Sequence, residues 1–144
     1  RIGGVTAHPS LLQVLDNLMQ YSTSGVAPFM QRGATAALDH GDQYLDDQIE
    51  HARQARDLVC SVLGHTGRTR FAVPAGAFYL FFSIDHVTDS KAAAMRIIDD
   101  VAVGLAPGSA FGGGGEVFFR LCFHRGIEGL EEAASRLAGW IRNL

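Results

Sequence analysis

An arginine, Arg120, lies in the middle of an apolar run, residues 117–123, that reads Val-Phe-Phe-Arg-Leu-Cys-Phe. Strand-favouring side chains fill this run, and strict alternation puts Arg120 on the face opposite Phe119 and Leu121. A guanidinium cannot lose its proton, and burying one without an anion is costly. Arg120 therefore needs an anionic partner, and the chemistry it could do is to bind a carboxylate through two parallel hydrogen bonds.

That anion could come from the protein or from a ligand. Buried arginines are commonly paired within their own protein, and Glu116 is the obvious internal competitor because alternation projects it on the same side as Arg120. Four consecutive glycines, residues 112–115, favour a ligand, because they let backbone approach closely and move. The sequence thus predicts either an internal ion pair with Glu116 or an open site for a ligand carboxylate.

Composition limits the class of protein. The chain has 144 residues, of which 47% are hydrophobic and 19% charged, enough for one domain with a sizeable core. A formal net charge of −3 without any cluster of lysine or arginine argues against nucleic-acid binding. No apolar stretch is long enough for a membrane span, and the N-terminal residues lack the pattern of a signal peptide. The two isolated cysteines, Cys60 and Cys122, indicate a cytoplasmic protein with reduced thiols, and the histidines show no metal-ligand spacing.

Hydrophobic periodicity predicts the elements that position Arg120. Residues 2–7 are expected to form a short strand, and helices are expected after Pro9 and after Pro28. The longest helix is expected over residues 42–63, with a narrow apolar stripe typical of a connector. Further strands are predicted at residues 70–73, 78–84, 103–107 and 117–123, with helices after residue 89 and from residue 127.

The expected fold is therefore α/β with a small α+β domain, in which a long connecting helix precedes a small mixed β-sheet with helices packed on one face. Residues 1–41 are expected to be the remnant of a larger domain, residues 42–64 the connecting helix, and residues 65–144 the small domain. The chain begins at Arg1, without a methionine and directly in an expected strand. We therefore expect it to be a piece of a longer polypeptide.

Three segments taken together resemble the C-terminal part of the pyridoxal-phosphate-dependent aminotransferases of fold type I, classes I and II. They are Arg-Ile-Gly from residue 1, Pro-Ala-Gly-Ala-Phe-Tyr-Leu-Phe from residue 74, and Ala-Pro-Gly-Ser-Ala-Phe-Gly from residue 106 followed by Phe-Arg-Leu-Cys-Phe from residue 119. Their order and spacing match those of the family over essentially all 144 residues.

The resemblance implies roles for four residues. Arg120 would bind the α-carboxylate of an amino-acid substrate, while Gly76 and Phe78 would help to line the substrate pocket. Arg1 would contact the phosphate of pyridoxal 5'-phosphate, although without the resemblance Arg1 reads as a frayed terminus and Phe78 as a core strand residue. The family's Schiff-base lysine falls before Arg1, and Lys91, the only lysine of the chain, is not placed to replace it. We therefore expect no catalytic residue in these 144 residues, which alone would be inactive.

The function implied by the resemblance is transfer of an amino group between an amino acid and a 2-oxo acid, by a full-length protein that is a homodimer. This chain would supply the substrate-carboxylate side of the site. Other chemistry with the same cofactor, such as carbon–sulfur lysis or an acyl-transfer synthase reaction, remains an alternative because fold does not fix the reaction. Another alternative is a non-catalytic domain that has lost the cofactor chemistry.

Overall fold

The structure, a computed structural model, describes residues 2–144 and forms two compact units. One unit extends to Asp47, and the other runs from Gln48 to Leu144. The division falls within helix α3 (Asp42–Gly64), which was expected as a connecting helix over residues 42–64. None of the helices in residues 2–144 combines the length and the apolar character needed to cross a membrane.

The first unit is helical. It contains helix α1 (Leu12–Ser22), preceded by a 3-10 turn (Pro9–Leu11), and helix α2 (Pro28–His40), which begins at its proline as predicted. Residues 2–7 have no regular secondary structure, so the strand expected there is wrong. A strand needs a neighbouring strand for its backbone hydrogen bonds, and the described part of this unit offers none. No residue between positions 2 and 47 is buried.

The second unit contains a four-stranded sheet. After α3, the elements of this unit are strand β1 (Thr69–Phe71), strand β2 (Tyr79–Ile84), helix α4 (Ser90–Val101), strand β3 (Ala106–Pro107), strand β4 (Phe118–Cys122) and helix α5 (Ile127–Arg142). The strand order is β1-β2-β4-β3, and every neighbouring pair is antiparallel, so the mixed sheet that we expected is wrong in this respect. Strands β2 and β3, which are connected through α4, run in the same direction. They do not form a parallel pair because β4 lies between them.

The sheet has one covered face and one open face. On the covered face, residues such as Leu80, Phe82 and Phe119 are fully buried against helices, as predicted. The helices contribute Ala55, Val59 and Leu63 from α3, Ala93, Ala94 and Ile97 from α4, and Leu130, Leu137 and Ile141 from α5. The alternate residues form what we call the open face, which no helix of this unit covers. Tyr79 and Phe81 on this face are 37% and 41% exposed.

Candidate functional site

Arg120 lies on the open face, in one of the two inner strands of the sheet. Its register partners are Phe81 on β2 and Ala106 on β3, so backbone hydrogen bonds hold β4 on both sides. Arg120 is half-buried, whereas its neighbours Phe119 and Leu121 are buried on the covered face. The predicted alternation of this strand is thereby confirmed, and it sets the guanidinium on the face away from the helices.

Two aromatic rings contact the guanidinium of Arg120. Its central carbon, Cζ, lies over the Tyr79 ring at 4.3 Å from the centroid and over the Phe111 ring at 4.0 Å. Tyr79 is the first residue of β2, and Phe111 ends the 3-10 turn Gly108–Phe111, so the rings come from different elements. Such contacts attract a cation through the charge distribution of the ring and do not neutralise it.

No anion among residues 2–144 pairs with Arg120. In this described part of the chain the ion pairs involve other arginines, and so do the hydrogen bonds that arginine side chains donate. The carboxylate of Glu116 instead accepts a hydrogen bond from the backbone N–H of Gly114 at 3.3 Å. The internal ion pair between Arg120 and Glu116, one of the two expectations from the sequence, is therefore wrong. The described residues leave the guanidinium donors open to a ligand.

The glycine-rich segment before β4 closes into a loop whose two ends touch. A Cβ atom added to Gly115 would overlap the carbonyl oxygen of Gly108, and a Cβ on Gly108 would overlap that of Gly115. Within the loop, Gly112 and Gly114 have φ angles of +126° and +86°, which strain residues with a side chain. The expected close approach of backbone is thus found at the base of the loop that carries Phe111.

Gly115→Ala is expected to lower the free energy of unfolding by about 1–3 kcal/mol, because backbone must shift to admit the methyl group. The control is Gly113→Ala on the same loop, where an added Cβ meets no atom within 4 Å and φ is not positive. It should change the free energy by less than about 0.5 kcal/mol. Urea unfolding of both variants measures the difference. Equal stability of the two variants would show that the ends of the loop do not touch.

Phe78 lies directly before β2 and next to the contacts of Arg120. Its ring centroid is 4.6 Å from that of Tyr79 and 5.8 Å from that of His124, and its carbonyl accepts a hydrogen bond from the N–H of Phe123. With 43% of its surface exposed, Phe78 is not a core residue, so that alternative is wrong. The Tyr79 ring thus contacts the Phe78 ring and also lies under the guanidinium of Arg120.

Gly76 occupies an exposed bend that lines a cleft of about 320 Å³ together with Arg56, Pro74 and Phe123. Phe78 lies beside Tyr79, one of the two rings that contact Arg120. The pocket-lining role of both residues stays a prediction.

Comparisons with known proteins identify the relatives of this chain. No family model matches it. It is 30% identical over 138 residues to LL-diaminopimelate aminotransferase of Nitratidesulfovibrio vulgaris, covering 96% of this chain and 35% of the relative. It is 29% identical over 148 residues to a probable aspartate/prephenate aminotransferase of Rickettsia prowazekii, covering 95% and 37%.

Solved structures agree. The chain matches the aromatic aminotransferase of Pyrococcus horikoshii with a TM-score of 0.87 and 26% identity, over 95% of this chain and 37% of that one. It matches the aspartate aminotransferase of Thermotoga maritima with a TM-score of 0.79 and 29% identity, over 92% and 33%. The chain is homologous to the fold type I aminotransferases. The resemblance carried by the three sequence segments is confirmed, and the chain spans about a third of the length of these relatives.

The cofactor contacts expected from the resemblance fall outside the described residues. Arg1, expected to contact the cofactor phosphate, lies outside them, so that role stays a prediction. Lys91 is exposed in the first turn of α4, where its backbone N–H donates to the capping carboxylate of Asp89. What residues 2–144 do offer is the open guanidinium of Arg120 between two rings, a donor set that fits a small carboxylate.

Proposed function

We propose that this chain is part of a longer aminotransferase that moves an amino group between an amino acid and a 2-oxo acid. In this proposal Arg120 binds the α-carboxylate of the substrate. The observation that carries it is the guanidinium of Arg120, which lies on the open face without an anionic partner among residues 2–144, in a chain homologous to aminotransferases.

Arg120 would act by binding and orienting. A guanidinium and a carboxylate form two parallel hydrogen bonds in one plane, which fixes the direction of the carboxylate and therefore of the carbon that carries the amino group. The rings of Tyr79 and Phe111 displace water from the guanidinium, and a charge interaction is stronger where water is excluded. Correct orientation of a reacting bond supplies a large part of a catalysed rate. Arg120 should thus affect both KM and kcat.

The cofactor of the proposed enzyme is pyridoxal 5'-phosphate, as the family implies. When bound, it acts as the electron sink that stabilises negative charge on the substrate carbon. Arg1 would hold its phosphate, and the lysine that binds its aldehyde would lie before Arg1. The proposal that the protein is a homodimer rests on the family, and the proposal that it is cytoplasmic rests on the cysteine pattern. Phe78 and Gly76 are proposed as pocket residues because of the family alone.

The full-length protein, supplied with pyridoxal 5'-phosphate, is expected to convert an amino acid and a 2-oxo acid into the matching 2-oxo acid and amino acid in equal amounts. The donors to test first are LL-diaminopimelate, aspartate and an aromatic amino acid, because the relatives carry these names. Chromatographic analysis of both products measures the exchange, and omission of the 2-oxo acid is the control. Consumption of the donor without an acceptor would indicate a lyase, and no reaction with any pair would contradict the proposal.

A further inference from the structure

The Phe111 ring is the nearer of the two aromatic contacts of Arg120, and in the proposed reaction it has so far only excluded water. We propose that Phe111 is a positioning residue, which holds the guanidinium of Arg120 on the open face in the orientation that receives the substrate carboxylate. This inference rests on the proposed function of Arg120 and adds a residue through which that function operates.

The side chain of arginine is long and flexible. A long side chain without a fixed partner samples many rotamers. When a ligand binds it, the conformational entropy that is lost lowers the affinity. A carboxylate of the protein would fix Arg120, but it would also occupy the donors that the substrate needs. An aromatic ring fixes the cation through its face and leaves the N–H groups available. The contacts of Arg120 with Tyr79 and Phe111, without an anion among residues 2–144, are what this requirement predicts.

Phe111 is distinguished from Tyr79 by the element that carries it. Tyr79 is held in the sheet by its pairing with Cys122, so its position follows from the fold of the unit. Phe111 ends a 3-10 turn in the loop closed by the contact of Gly108 with Gly115, and the loop therefore delivers this ring to Arg120. Phe111 is 48% exposed, so the side chain that lies over the guanidinium also borders solvent.

Phe111 could also act only as an apolar group that covers the sheet. A control residue on the same face distinguishes that structural role from the positioning role. Phe118 is a half-buried phenylalanine on the open face, and its ring stacks on that of Phe81 with centroids 5.0 Å apart. The guanidinium of Arg120 lies over the rings of Tyr79 and Phe111 and not over that of Phe118. Shortening Phe118 therefore removes aromatic packing from this face without removing a contact of the cation.

The test compares Phe111→Leu, Phe111→Tyr and Phe118→Leu in the full-length protein, with KM and kcat measured for one amino-acid substrate. Phe111→Leu should raise KM by about 2- to 30-fold, the range that a cation–aromatic contact supports, with a smaller change in kcat. Phe111→Tyr keeps the ring and should stay within about twofold of the unsubstituted protein, as should Phe118→Leu. Thermal unfolding of each variant shows whether it is folded, and Phe111→Met replaces Phe111→Leu if the latter is not.

Arg120→Lys separates failure of this inference from failure of the proposed function. If Arg120→Lys raises KM while Phe111→Leu behaves like Phe118→Leu, the positioning role of Phe111 is wrong and the role of Arg120 stands. If Arg120→Lys leaves KM unchanged, Arg120 does not bind the carboxylate and the proposed function fails with it. A rise in KM for Phe111→Leu that Phe111→Tyr does not show is the result that supports the inference.

Discussion

Arg120→Ala is expected to lower kcat/KM of the full-length protein for an amino-acid substrate by about 30- to 4,000-fold, which corresponds to the loss of one partner of a desolvated, hydrogen-bonded charge pair. The loss should appear in KM and in kcat together, because the same contact binds the carboxylate and orients the reacting carbon. Steady-state kinetics at several concentrations of the amino acid and of the 2-oxo acid measure both constants.

Arg96→Ala is the matched control. The guanidinium of Arg96, an exposed residue of α4, also lies over an aromatic ring, that of Trp140, at 5.9 Å from the centroid. It belongs to the helical side of the unit and has no place in the proposed site, so its loss should change kcat/KM by less than about twofold. Equal effects of Arg120→Ala and Arg96→Ala would mean that loss of a cation over a ring, rather than of a carboxylate site, explains the result.

Phe119→Ala, one residue before Arg120, is expected to lower the free energy of unfolding by about 3–5 kcal/mol. The Phe119 side chain is fully buried on the covered face, with its ring centroid 5.7 Å from that of Phe82. Removing the ring leaves a cavity at the centre of the core, between the sheet and the helices. Urea unfolding measures this loss. An unchanged slope of the unfolding free energy against urea concentration shows that the unfolded state is not altered.

Phe118→Ala provides the comparison, because Phe118 is the same residue type in the same strand on the open face. Because Phe118 is half-buried, its substitution should lower the free energy of unfolding clearly less, by about 1 kcal/mol. A cost equal to that of Phe119→Ala would contradict the division of β4 into a face that stabilises the unit and a face that carries the site.

The sequence predicted what depends on local pattern. Alternation in residues 117–123 placed Arg120 and Phe119 on opposite faces because side chains of a strand point alternately to its two sides. Proline at the start of α2 and Asp89 before α4 marked the beginnings of those helices, and the Asp89 carboxylate does accept the backbone N–H groups of Lys91 and Ala92.

What the sequence could not predict depends on contacts between distant segments. Insertion of β4 between β2 and β3, which makes the sheet antiparallel, is a matter of topology that periodicity does not encode. Glu116 was expected beside Arg120 because the alternation was extended back to it. The strand, however, begins at Phe118, and Glu116 lies in the preceding turn, where it bonds to Gly114.

The aromatic contacts of Arg120 were missed for the same reason. Tyr79 reaches Arg120 only because Phe81 is the register partner of Arg120, which places Tyr79 diagonally across from it. Phe111 reaches it through the path of an irregular loop. The one signal in the sequence was the pair of glycines at the ends of that loop, Gly108 and Gly115, whose backbones approach too closely for any side chain.

A crystal structure of the full-length protein with a bound 2-oxo acid or amino acid decides whether Arg120 binds the substrate carboxylate. We expect both carboxylate oxygens to lie about 2.7–3.0 Å from nitrogens of Arg120, with the rings of Tyr79 and Phe111 still against the guanidinium. A ligand carboxylate bound elsewhere, or an Arg120 already paired with a carboxylate of the protein, would show that Arg120 does not have this role.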